Sequence, residues 1–149
     1  MLRQLLIGAL ASAAMMVSTS AFAQGTAAEA KAMLDKAVAA VKADKAKAIA
    51  SFNAGTDGFK DRDLYPFCFN LSDGINVAGP QSVRGKDVRT IKDAAGKAFG
   101  EDIYKAGQDG KVNEVSYSFP KPGATDPSPK VSFVTKAGDD LACGVGYYK

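Results

Sequence analysis

The sequence predicts an α+β fold, with helices set apart from an antiparallel sheet. Three observations predict it. An apolar spacing of three and four runs from residue 26 to about 53. The period then shortens to two, beginning at LYPFCFNL. After that, strand patterns follow one another with a single helical stretch among them, not in strand–helix alternation.

The first element is one long helix over residues 26 to about 53. Met33, Leu34, Ala37, Val38, Val41, Ala48, Ile49 and Phe52 make its apolar stripe. Lys31, Lys36, Lys42, Lys45 and Lys47 take much of the other surface. Thr26 with Glu29 fits a capping box, and Gly55 is a C-terminal stop. Such a helix covers a sheet; lysines flanking an apolar stripe also suit a membrane surface.

Next, Tyr65, Phe67, Phe69 and Leu71 alternate with Leu64, Pro66, Cys68 and Asn70. Both sets are largely apolar, as in a strand buried on two faces. Pro66 cannot donate to a ladder and belongs near the strand's start. Ser72-Asp73-Gly74 is a hairpin turn, and residues 75–78 are its return strand. Residues 79 to about 97 are irregular. Residues 99–108 read as a short helix, with Glu101 and Asp102 in its first turn. Residues 112–119 are a strand, 120–129 (PKPGATDPSP) a proline-rich connector, 130–136 a strand, 137–139 a turn, and 140–148 the last strand. Val131, Phe133 and Thr135 share one face.

The N-terminus has the pattern of an export signal. Arg3 precedes an alanine-rich apolar run too short to span a bilayer comfortably, and Ala21-Phe22-Ala23 ends it in the small-x-small pattern. Residues 1–23 are thus expected to be a signal peptide cleaved after Ala23, leaving 24–149 as a single exported, periplasmic domain. An N-terminal membrane anchor is the alternative. Taking Arg3 out of the 19 basic residues leaves 18 against 16 acidic ones. That near-balance points away from nucleic acid. No stable membrane insertion is expected of the exported part.

The 149 residues include no histidine. Ser-His-Asp and Cys-His catalysis, imidazole zinc sites and haem ligation by histidine are therefore excluded. Asp73-Gly74 and Asp93-Ala94-Ala95-Gly96-Lys97 read as turns, since a calcium loop needs more carboxylates at alternate positions. Neither an enzyme nor a bound metal or cofactor is expected.

LYPFCFNLSDGINVAGP, VRGKDV, IKDAAGKAF, VSYSFPKP and PKVSFVTKAGDDLACGVGYYK, in that order, resemble the single Cache domain of the second type over residues 30–149. The resemblance implies a PAS-like fold: a five-stranded antiparallel sheet ordered 2-1-5-4-3, backed by the long N-terminal helix. The middle connector would cover the other face and enclose a small pocket. Cache domains are extracytoplasmic sensors, often for small organic acids and usually fused to signalling proteins. With no transmembrane helix or signalling domain in its sequence, this chain looks like a free-standing secreted member. Many members carry a histidine near Ala78-Gly79-Pro80. This chain has none there, so that contact is not carried over.

A small carboxylate needs a cation or clustered donors in a partly dry cavity. Candidate cations are Lys130, Arg84 and Arg89; Tyr65 and Tyr117 can donate from phenols, and Phe67 can line the pocket. Lys130 stands in the family's Pro-Lys-x-Ser position. It is either an anion contact or an exposed lysine after a proline loop. Arg84 is either a pocket residue or a solvated loop arginine. The expected role is binding or sensing of a small organic acid, with a signalling protein as a possible partner. The alternative is an interaction protein whose pocket is filled by side chains.

In the implied sheet order the first and last strands are antiparallel neighbours. Facing residues there come within disulfide range, and export favours oxidation, so Cys68 and Cys143 are expected to form a staple. Two buried free thiols are the alternative.

Overall fold

The computed structural model describes residues 23–149. The expected signal peptide lies outside these residues, apart from Ala23. The expected single helix is two: α1 (Ala27–Ala43) and α2 (Lys45–Ala54). Asp44 between them is extended (φ −159°, ψ 98°), and its carboxylate accepts the Lys47 amide. An aspartate at this position competes with the helical backbone for its own hydrogen bonds. The break lets α1 cross β4 and β5 while α2 packs on β1 and β2. Thr26 and Glu29 form the expected capping box, and Gly55, at φ +67°, closes α2. Asp44→Ala is expected to lower stability by about 1 kcal/mol in urea unfolding, the usual cost of a lost N-cap. An unchanged midpoint would show that Asp44 does not hold α2.

The strands are β1 (Pro66–Asn70), β2 (Asn76–Ala78), β3 (Asn113–Pro120), β4 (Pro127–Gly138) and β5 (Leu141–Tyr148). The remaining elements are α3 (Phe99–Ala106) and a single 3₁₀ turn, Val88–Thr90. The sheet is antiparallel throughout, in the order β2-β1-β5-β4-β3 that the resemblance implied. Gly74 takes φ +75° in the β1–β2 turn, where Asp73 caps the Ile75 amide. Pro66 is the first residue of β1, paired with Val145.

One boundary is corrected. Both ends of the proline-rich stretch are ladder: Pro120 belongs to β3 and residues 127–129 to β4, with Ser118 facing Pro129 and Pro120 facing Pro127. The β4–β5 ladder ends at Lys130 and Tyr148, so Pro127 and Pro129 lie beyond it. Proline is tolerated where a strand lacks a partner on one side. The remaining turn is short, residues 121–126.

Both faces of the sheet are buried. Cys68, Phe133, Cys143 and Val145 pack under Leu34 and Ala37 of α1. Phe67, Phe69, Val88, Phe99, Ile103 and Val134 pack on the opposite face. Cys68 and Cys143 face each other in register with Cα atoms 4.1 Å apart and form a disulfide. Among the described residues no cysteine is free, which removes the two-thiol alternative. Among the same residues no helix is long and apolar enough to cross a membrane. The lysine-flanked stripe of α1 faces the core: Leu34 and Ala37 are fully buried.

Candidate functional site

The period-two geometry of β4 sets Lys130, Ser132 and Val134 on the face away from α1. The connector after β2 folds over this face. It carries Pro80, Val83, Val88 and Ile91 to the sheet and continues into Phe99 and Ile103 of α3. The cover is itself tightly packed: a Cβ on Gly100 of α3 would lie 1.8 Å from the Val88 carbonyl oxygen of the connector. Between connector and sheet is a cavity of about 40 Å³, bordered by Tyr65, Phe67, Tyr117, Phe119 and Lys130 among others.

Lys130 is only 2% exposed. Its Nζ donates to Tyr65 Oη at 2.9 Å and lies 4.5, 5.0 and 5.4 Å from the ring centres of Tyr65, Tyr148 and Phe119. Ring faces attract a cation but do not replace a counter-charge. Among the described residues no carboxylate pairs with Lys130. Burial therefore pulls its pKa down to about 7, and the charge of Asp63 opposes this only in part. Of three ammonium N–H groups, one goes to Tyr65, leaving two without a described protein acceptor. Gly146 makes room for the stem, since a Cβ there would lie 2.4 Å from Lys130 Cε.

The phenols stay protonated. Burial raises the pKa of Tyr65 and Tyr117, and pushes Tyr148 up to about 12. Tyr117 Oη shares a 2.8 Å hydrogen bond with Ser132 Oγ, and its ring stacks on Phe99 at 4.3 Å. Tyr148 Oη donates to the Pro120 carbonyl at 2.7 Å, tying the last strand to the hairpin. Neither cavity nor neighbouring cleft has an aspartate or glutamate in its lining. Among the described residues no group of acidic, cysteine or histidine side chains could hold a metal ion.

Four of the five predicted ligand residues, Lys130, Tyr65, Phe67 and Tyr117, meet at the cavity. Lys130 is buried, not the exposed lysine of the other reading. Arg84 is exposed and borders a larger adjoining cleft instead, which Tyr65 also borders. Arg89 is taken up by Asp87 at 2.6 Å and the Asp73 carbonyl at 2.8 Å, so it stays outside the cavity. Sequence reading missed Ser132, Tyr148, Phe99 and Phe119. A signal existed for two of them: Ser132 lies two residues after Lys130 on the same strand, and Tyr148 faces Lys130 in the ladder.

Solved structures share this architecture. A methyl-accepting chemotaxis protein from Vibrio parahaemolyticus RIMD 2210633 is 26% identical, with a TM-score of 0.65 over 81% of this chain and 86% of that one. A Cache chemosensory domain, reported as the structural basis for carboxylic acid recognition, is 25% identical, with a TM-score of 0.58 over 80% and 85%. A periplasmic sensor domain of a chemotaxis protein, at 24% identity and a TM-score of 0.59 over 80% and 87%, has the same fold. No curated protein matches the chain. The family profile described as single Cache domain 2 matches residues 2–148, and the chain belongs to that family.

Proposed function

We propose that this protein is a periplasmic sensor domain that binds a small monocarboxylate at Lys130. The observation that carries the reading is the buried Lys130 ammonium, which faces a cavity without a carboxylate partner. A ligand carboxylate would supply the missing counter-charge, with the Tyr65 hydroxyl beside it as a second polar group. Carboxylic acid recognition by a similarly folded Cache domain supports the same chemistry. The cavity of about 40 Å³ sets the size. One water needs about 10–15 Å³ of such space, so a ligand of two or three carbons is the fit. The site is read as binding, not catalytic, because no carboxylate, thiol or imidazole lines it.

A thermal-unfolding screen of formate, acetate, propionate and longer acids tests this. A ligand at a hundred times its Kd adds about 2.7 kcal/mol of stability. The gain is expected for the shortest acids and lost as chains lengthen. A flat response would favour a pocket filled by side chains, with sheet or helix meeting a partner protein. Binding also has a pH signature. The carboxylate pairs with the ammonium, and unliganded Lys130 loses its proton near pH 7. Affinity should therefore hold below pH 7 and fall about tenfold per unit above it. Calorimetry at pH 8 in buffers of different ionisation enthalpy should show uptake of close to one proton per ligand. Binding without proton uptake would place the carboxylate away from Lys130.

A further inference from the structure

Outside the Lys130 cavity, and walled from it by Tyr65, Pro80 and Phe119, lies a second and larger concavity of about 440 Å³. Three separate segments build it: the end of α2 with the loop that follows, the connector after β2, and the β3–β4 turn. Its floor is apolar and rigid. Phe52 and Phe59 meet edge to face at 4.6 Å, and Pro66, Pro80, Phe119 and Pro122 complete it.

The charged groups in its lining are all cations, and each segment supplies at least one. Lys60 and Arg62 come from the first, Arg84 from the second and Lys121 from the third. Arg62 is held by Glu29 at 2.7 Å and Asp61 at 3.0 Å. Lys60, Arg84 and Lys121 make no ion pair among the described residues. Three cations around an uncharged aromatic floor create a local positive field, although the chain as a whole carries a net charge of only +3.

We propose that this outer cleft is a second ligand site, for an amphipathic organic anion too large for the inner cavity. The apolar body would lie on Phe59, Pro66, Pro80 and Phe119, and the anionic group would face Lys60, Arg84 and Lys121. A volume of about 440 Å³ falls within the range of drug-sized ligand sites, roughly 300–1,000 Å³. The site goes beyond the Lys130 reading and stands without it. No group in the outer cleft need change protonation, and its cations lie on loops, not on the sheet.

The probe is 2-naphthalenesulfonate, a rigid anion larger than the inner cavity, with uncharged 2-naphthol as its comparison. Titration into the exported chain is followed by amide NMR. Gly55, Gly79 and Gly123 border the outer cleft, whereas Gly144 and Gly146 lie on β5. The sulfonate is expected to shift the first three amides and to bind more tightly than naphthol. Combined Lys60→Gln, Arg84→Gln and Lys121→Gln should weaken it roughly ten- to a hundredfold, since each exposed charge is worth about two- to fivefold. These substitutions lie on loops, and a short acid's effect on thermal unfolding should survive them, which separates failure here from failure at Lys130. The proposal is overturned by shifts confined to Gly144 and Gly146, by no shift at millimolar sulfonate, or by equal affinity for naphthol.

Discussion

Replacing Lys130 with methionine is expected to stabilise the unliganded protein while abolishing its response to small acids. A lysine ordinarily titrates near 10.5, and burial pulls Lys130 to about 7. At about 1.4 kcal/mol per unit, holding the charged form inside costs roughly 3–5 kcal/mol. Methionine has similar length and no charge to desolvate. It loses the bond to the Tyr65 hydroxyl, worth about 1 kcal/mol, and the attraction of three rings. The net gain should be about 2 kcal/mol at pH 6. Its pH dependence is specific. Below pH 7 the lysine is protonated folded and unfolded, and the full cost is present. Between 7 and 10.5 the unfolded chain binds the extra proton, so the native protein gains stability as pH rises. The advantage of Lys130→Met should therefore be largest below pH 7 and shrink towards pH 10. Urea unfolding of both proteins at pH 6, 8 and 10 measures it. A variant less stable at all three would mean that the ammonium is well solvated in place.

Reduction of the Cys68–Cys143 bridge should have the largest effect on stability. The bond joins residues 75 apart, and closing a loop of that length removes roughly 4 kcal/mol of unfolded-state entropy on the chain-entropy account. The sulfurs are buried under α1, and both cysteines are 0% exposed. Reductant should thus act slowly on the native protein and quickly on the unfolded one. The expected result is a urea midpoint far lower with reductant than without. Equal midpoints, or two thiols open to labelling in the oxidised protein, would remove the staple from the energetics.

Local chemistry made the strands legible in advance, and the family resemblance their order. Asp73-Gly74 fixes one hairpin and alternation fixes the facing of Phe67 and Cys68, whereas the pairing of Cys68 with Cys143 followed from the order the resemblance implied. The helix break was hidden because Val41 and Ala48 are seven residues apart, about two full turns, so the apolar stripe continues across Asp44. PKPGATDPSP looked like a loop because proline disfavours ladders in general; only the length of β5 shows where β4 lacks a partner. The same contrast divides the site. Lys130, Tyr65, Phe67 and Tyr117 lie on or next to strands, where alternation sets direction. Arg84 lies in a connector whose path depends on packing against α3, and nothing in its neighbours reveals that it borders the outer cleft. Arg89 had a visible partner two residues away in Asp87, which takes up its charge.

The place of β5 bears on how the domain is assembled in time. It is the last strand to be made, yet it sits between β1 and β4 and carries one half of the disulfide. Without residues 141–148 the earlier strands pair only as two hairpins, β1 with β2 and β3 with β4, joined through the helices alone. The sheet and the disulfide therefore close together, on the last of the described strands.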